Sequence, residues 1–276
     1  MGPSSPPPVT ISQLLRDSTL KLLTAGINSA RLDSLVLLED ATERDKSWLL
    51  AHSDDVLPSK QSDAVNIGVE RRIKREPLAY IRGKQEFFGR TFTVSSEVLI
   101  PRPETEELIE QFLSLPVPLD SKVLDVGTGS GAIAITCKLE RPVTTVDACD
   151  ISQGALAVAS VNAKSHNVKI NFIHSNLLGD CGRYDVIIAN LPYVDQAWEC
   201  SPETQHEPAN ALFAADGGLA LIKNLIDTAP DHLKTNGYLL LEADPRQHRS
   251  ILQYAPPDKY SPINHGRFAL TLQISP

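Results

Sequence analysis

No stretch of this chain is long and apolar enough to cross a bilayer as a helix, so the sequence offers no transmembrane candidate. Cysteine is sparse. Cys137, Cys149, Cys181 and Cys200 form no Cys-x-x-Cys pair, and none has a His beside it at zinc-ligand spacing. This gives a reading of reduced, structural thiols in a cytoplasmic protein, with no metal site. Positive charge is also short. Net charge is −8, and residues 1–83 balance at 11 basic and 11 acidic residues. The whole deficit therefore lies in residues 84–276, with 15 basic against 23 acidic residues. Enzymes that act on bulk DNA or RNA usually carry a basic footprint near the site. Its absence here weighs against a direct nucleic-acid substrate. The one dense basic run, Arg71-Arg72-Ile73-Lys74-Arg75 with Arg82 nearby, reads as a solvated helix face. No repeat of fixed period is present.

Residues 1–9 are Pro-rich, with no basic residue before Arg16 and no apolar core, which does not fit a secretory signal. Pro6 stands where a myristoylation motif needs Ser or Thr. A disordered leader is expected there. Residues 10–83 read as a small helical bundle. Ile11, Leu14, Leu15, Leu22 and Leu23 recur at helical spacing, Gly26 ends that helix, and Asn28 reads as the cap of the next. A short helix around Trp48 and a longer one over 59–75 follow, stopped at Pro77. Residues 84–102 are β-prone, and the spacing predicts a linker hairpin of 87–94 and 97–100 turning at Ser95-Ser96.

Residues 103–276 alternate between the two periodicities. Strands are predicted at 122–126, 144–149, 170–174, 184–189, 238–242 and 267–274, and helices at 131–139, 152–165 and 217–235. Repeated β-α-β units imply an α/β fold with a mostly parallel sheet, and ligands bind such sheets beyond the carboxyl ends of the strands.

The first of these strands runs into Gly127-Thr128-Gly129-Ser130-Gly131. The third glycine comes one residue too early for a dinucleotide loop, and no Lys-Ser/Thr follows to make a P-loop. Asp150 ends the next strand, where a carboxylate takes both hydroxyls of a ribose, and this combination points to S-adenosylmethionine. Asp147 competes for that role but lies inside the apolar run, so Asp150 is preferred. Asn176, ahead of Leu177, ends the following strand, where its amide oxygen can accept from an adenine amine.

Asn190-Leu191-Pro192-Tyr193 follows the strand over 184–189. The Asn side chain can both accept from and donate to a planar nitrogen group. Pro192 leaves the preceding carbonyl free in a rigid geometry, and Tyr193 can stack on a flat substrate and face a sulfonium. Asn190, Pro192 and Tyr193 are the expected catalytic residues, and Leu191 joins them in holding substrate.

Together with Leu99-Ile100-Pro101-Arg102-Pro103-Glu104-Thr105-Glu106, these motifs resemble the release-factor glutamine N5-methyltransferases of the HemK/PrmC type. The likeness extends upstream to Arg72, Pro77 and Tyr80-Ile81, and downstream to Glu207-Pro208, Asp216-Gly217-Gly218-Leu219 and residues 239–242. It implies a seven-stranded Rossmann-like S-adenosylmethionine-dependent methyltransferase domain, joined by a hairpin linker to a helical substrate-recognition domain. It also implies a cytoplasmic enzyme, taken here as a monomer, that methylates the glutamine of the Gly-Gly-Gln motif in peptide-chain release factors. Thr105 would border the methionine end of the cofactor. Leu191 departs from the family's usual Pro, and Asn-Leu-Pro-Tyr resembles the form found in ribosomal-RNA adenine N6-dimethylases. Adenine N6-methylation of RNA or DNA, glutamine methylation of a ribosomal protein, and an inactive cofactor-binding protein stay open as alternatives.

Overall fold

The computed structural model describes residues 9–275, so the expected leader lies outside the described residues except for Val9. The described residues form two compact units, one of residues 9–83 with 202–206, the other of residues 84–201 with 207–275.

The first unit is helical: α1 (Ile11–Thr24), α2 (Ala30–Thr42), α3 (Lys46–Ala51), α4 (Ser59–Ile73) and α5 (Leu78–Arg82). A reciprocal capping box between Thr10 and Gln13 starts α1. Leu14, Leu22, Leu38, Leu49 and Val69 fill the core. Asn28 is not the cap of α2; Ser29 takes that place, with no side-chain capping bond. Pro77 does not end the bundle either. It stands at the N-terminal side of α5, where its missing N–H costs nothing.

The basic run is not a solvated face. Arg72 is buried, with Nε on Asp33 Oδ2 at 2.8 Å and Nη1 on Glu203 Oε1 at 2.9 Å. Arg75 donates to the carbonyls of Ala25 and Gly26, Arg71 to Glu76, and Arg82 to Asp40. The charges are consumed inside the unit, which leaves little of the run to attract an acidic partner.

The second unit opens with an antiparallel hairpin, β1 (Lys84–Phe87) and β2 (Arg90–Thr93). It turns at Phe88-Gly89 and not at Ser95-Ser96. Both turn residues have positive φ, the two-residue geometry that follows strand twist, and Glu106 Oε1 holds the Phe88 N–H at 2.8 Å. Residues 97–100, expected as the second strand, form none.

Next come α6 (Glu106–Ser114), β3 (Lys122–Val126), α7 (Ala132–Glu140), β4 (Thr145–Asp150), α8 (Gln153–Ser165), β5 (Asn171–His174), β6 (Tyr184–Ala189), α9 (Ala209–Leu212), α10 (Ala220–His232), β7 (Leu233–Glu242), α11 (Pro245–Tyr254), β8 (Tyr260–His265) and β9 (Ala269–Ile274). The larger sheet has seven strands in the order β5-β4-β3-β6-β7-β9-β8. Strands β3 to β7 are parallel, while β9 runs antiparallel to both β7 and β8. This is a mixed, mostly parallel sheet of Rossmann type. Helix α11 and strand β8 were not foreseen: α11 has a proline in its first turn, and β8 carries Pro262 on an exposed sheet edge. The strand order reverses at β3, so Val126, Asp150, Ala189 and Glu242 all end at one rim. Among the described residues no helix is long and apolar enough to cross a membrane.

Candidate active site

The glycine loop is held from below by Asp125, a fully buried residue of β3. Its Oδ2 accepts from Thr128 Oγ1 at 2.6 Å and from the Ala134 N–H at 3.1 Å, tying the loop to the first turn of α7. Burial pushes this carboxyl up to about 7, although those two hydrogen bonds favour its charged form. Gly127 has φ +73°, and a Cβ there would lie 3.1 Å from Leu191 Cδ2. Gly131 has φ +81° and lets α7 approach Ala159 of α8, 3.1 Å from where its Cβ would stand.

The two candidate acids separate cleanly. Asp147 is buried, taking the Tyr184 hydroxyl at 2.8 Å and Lys122 Nζ at 3.3 Å. Asp150 lies at the rim, with Oδ2 on the Gly129 N–H at 2.9 Å and Oδ1 on the Ser152 N–H at 2.8 Å. It is the acid in contact with the glycine loop. Asn176 is exposed and Leu177 follows at φ +50°.

Asn190 leaves β6 with its Nδ2 on Thr105 Oγ1 at 3.0 Å. Its Oδ1 has no protein partner among the described residues, nor does the Leu191 carbonyl. The loop behind them is clamped. Gln247 Nε2 bonds both the Tyr193 and Gly217 carbonyls at 2.8 Å. Gly218, at φ +85°, sits so close that a Cβ would collide with the Tyr193 carbonyl. Val194 pairs with Leu212 and Ala214. Buried Glu207 binds the Ile100 N–H at 3.2 Å and the Arg102 guanidinium, fixing the segment that leads to Thr105.

One cavity of about 340 Å³ gathers most of the expected residues: Thr105, Gly127, Thr128, Gly129, Ser130, Asp150, Asn176, Leu177, Asn190, Leu191 and Pro192. Its remaining wall is largely apolar, with Phe87, Leu99, Ile133 and Phe213. Two expected residues stand outside the wall. Gly131 serves packing, and Tyr193 packs against the sheet core with its hydroxyl on Glu242 Oε1 at 3.0 Å. The Tyr193 hydroxyl is thus engaged inside the protein.

Glu242, Asp125, Gln247 and Phe213 were missed by sequence reasoning. A signal existed for Glu242, a carboxylate closing the apolar strand Tyr238-Leu239-Leu240-Leu241. Burial raises its pKa to about 7, against the hydrogen bond from the Tyr193 hydroxyl and the nearby polar groups of Thr105 and Asn190, which favour the charge. Burial, then the Glu242 charge, drive the Tyr193 phenol up, so it stays a donor. Among the described residues no group of three or more His, Cys, Asp and Glu side chains is placed to hold a metal ion.

Two family models match the chain, the PrmC N-terminal domain over residues 13–83 and the methyltransferase small domain over residues 104–253. The chain is 39% identical over 249 residues to the release factor glutamine methyltransferase of Coxiella burnetii, covering 89% of this chain and 90% of that protein. It is 41% identical over 234 residues to the namesake enzyme of Koribacter versatilis, covering 82% and 84%. A bifunctional methyltransferase of Rickettsia bellii is 35% identical over 278 residues; the match covers 88% of this chain and half (50%) of that protein. Among solved structures, a T. thermophilus rRNA methyltransferase aligns with a TM-score of 0.50 at 16% identity, covering 70% of this chain and 50% of that one. That likeness concerns the fold.

Proposed function

The chain belongs to the release factor glutamine methyltransferase family, and from that premise we propose how its cavity acts. The enzyme transfers a methyl group from S-adenosylmethionine to the side-chain amide nitrogen of the glutamine in the Gly-Gly-Gln motif of peptide-chain release factors. The observation that carries this reading is that Asn190 and Leu191 both line the cavity, and that neither Asn190 Oδ1 nor the Leu191 carbonyl has a protein partner among the described residues.

An amide nitrogen is a poor nucleophile because its lone pair is shared with the carbonyl. Two fixed acceptors can take the two hydrogens of the substrate NH₂ and aim its lone pair into the cavity, which is catalysis by orientation and electrostatic placement. Thr105 takes the Asn190 NH₂, so the Asn190 oxygen is left for substrate. Pro192 locks φ directly after the Leu191 carbonyl and so holds that acceptor in a rigid geometry. Attack on the sulfonium methyl gives an N-methyl amide that still carries both hydrogens and a positive charge; this cation is strongly acidic and loses one proton to water after transfer, so orientation needs no strong base.

The residues present fit the cofactor. Gly127 to Gly131 bring backbone against it, Asp150 would take the ribose hydroxyls, Asn176 and Leu177 would meet the adenine, and Thr105 would border the methionine end. When bound, S-adenosylmethionine supplies an electrophilic methyl group on a sulfonium. The apolar wall of Phe87, Leu99 and Phe213 excludes water from the reacting atoms.

We read residues 10–83 as the unit that recognises the release factor, in an enzyme that works as a cytoplasmic monomer. Transfer of labelled methyl onto purified release factor, beside rRNA, DNA and ribosomal protein, tests the reading. Label on the release-factor glutamine supports it, and label on nucleic acid alone overturns it.

A further inference from the structure

We propose that Glu242 is a positioning residue of the methyl-transfer site: a buried acceptor at the end of β7 that closes a hydrogen-bond chain running from Asn190 through Thr105, with Tyr193 on its other oxygen. The chain decides which end of the Asn190 amide meets the substrate. This rests on the glutamine-methylation reading above.

Two of its bonds are present: Asn190 Nδ2 to Thr105 Oγ1 at 3.0 Å and the Tyr193 hydroxyl to Glu242 Oε1 at 3.0 Å. Two groups remain unmatched. Thr105, itself buried, has a hydroxyl proton still to donate, and Glu242 Oε2 is a buried oxygen with no partner of its own. Thr105 and Asn190 nevertheless lie close enough to Glu242 to favour its charged form. Rotation of the Thr105 hydroxyl onto Glu242 satisfies both groups.

The consequence is chemical. A threonine hydroxyl alone does not discriminate between the two ends of an Asn amide, since it accepts from NH₂ as readily as it donates to C=O. A charged carboxylate only accepts. It takes the threonine proton, leaves Thr105 Oγ1 as an acceptor, and so selects the Asn190 NH₂. The Asn190 oxygen is then left for the substrate. A protonated Glu242, or a glutamine, can donate to Thr105 and permits the flipped amide, whose NH₂ would repel the substrate NH₂.

The groups facing Glu242 sort by element. Tyr193 comes from the loop after β6, Thr105 and Glu104 from the turn ahead of α6, and Asn190 from the end of β6; Asp244, beyond the end of β7, acts on Tyr193. Tyr193 donates throughout the neutral range, and Glu104 makes ionisation of Glu242 harder. Glu242 titrates at about 7, so the selecting form is lost as pH falls through neutrality.

The test is Glu242→Gln in the full chain, assayed on release factor from about pH 6 to 9, with cofactor affinity by calorimetry and a thermal midpoint. In the parent, kcat rises with pH through neutrality. In Glu242→Gln that limb is gone and kcat at high pH falls by about 10- to 100-fold, while KM and cofactor affinity stay within about threefold. Thr105→Val matches it, Thr105→Ser restores the parent, and the double variant Thr105→Val/Glu242→Gln loses no more than either single change. Unchanged kcat and pH profile in Glu242→Gln, equal losses in KM and cofactor affinity, or losses that multiply in the double variant would each overturn the proposal. A parent that leaves release factor unmethylated overturns the family reading and this inference with it. A parent that methylates it, matched by Glu242→Gln, overturns the inference alone.

Discussion

Asn190 Nδ2 donates to Thr105 Oγ1 at 3.0 Å, although 85 residues of sequence separate the two. The bond joins the end of β6 to the turn that opens α6, and it occupies the amide NH₂ while leaving the amide oxygen without a protein partner among the described residues. The predictions that follow start from this contact and move outward.

Asn190→Ala removes the oriented amide oxygen but leaves the glycine loop and Asp150 in place. Loss of one preorganised partner costs about 10²–10³ in turnover. Steady-state methylation of release factor should fall by that factor, with cofactor affinity changed far less. Near-normal turnover would rule out the orientation mechanism.

Asp150→Ala should weaken S-adenosylmethionine binding by about 2–3 kcal/mol, the scale for hydrogen bonds to a charged acceptor. It also frees the Gly129 and Ser152 N–H groups. Asp147→Asn, which disturbs only the bonds to Tyr184 and Lys122, should shift thermal stability and leave cofactor affinity alone. Calorimetry on both variants decides the assignment, and an inverted pattern refutes it.

Gly218→Ala places a methyl group against the Tyr193 carbonyl at a φ of +85°. The strain of such a position is about 1–3 kcal/mol, and it falls on the loop that carries Asn190. The thermal midpoint should drop and turnover should fall with it. Leu191→Pro, by contrast, trades a buried contact on Gly127 for the family's rigid form. Methylation of release factor should be kept or improved, at a small loss of stability measured by thermal unfolding.

Arg72→Ala should destabilise the helical unit by about 3–5 kcal/mol, because buried Asp33 loses its cation. Chemical denaturation checks the value. A change below about 1 kcal/mol would mean that solvent replaces the ion pair.

Stability of the cofactor-free chain should fall as pH rises from about 5 to 8. Burial raises Glu242 and Asp125 to about 7, whereas the unfolded carboxyls ionise near their ordinary values. Through these two carboxyls the folded chain holds more protons in that window, and each withdraws on the order of 3 kcal/mol across it, while His248, lowered by burial, opposes them only at the acid end. Glu76 and Asp244, held low by Arg71 and Arg246, are already charged there and do not offset the loss. Thermal midpoints of the parent and Glu242→Gln should diverge with rising pH, the variant showing the flatter curve.

The positions of strands β3 to β7 and β9, the glycine loop and the Asn190–Tyr193 motif were legible in the sequence because each is local. Period-2 apolar runs mark β3 and β6, and glycines at fixed spacing mark a turn needing positive φ. Asp150 was separable from Asp147 by position alone, one at a strand's end and the other within it. The hairpin turn was misplaced because Ser95-Ser96 carries turn chemistry, while the real turn uses Phe88 at positive φ, held by Glu106 from another element. The basic run misled for a similar reason. Its partners Asp33 and Glu203 lie far along the chain.

Sequence by itself determined the fold class and the two motifs that meet in the cavity, since both depend on residue type and local spacing. Tertiary structure alone decided how those motifs are held. Thr105 under Asn190, Glu242 behind Tyr193, and Gly218 with Gln247 clamping the loop all arise where separate strands end at one rim. Hydrogen bonds across 49 and 85 residues leave no periodic trace, because burial and direction exist only once the sheet has formed.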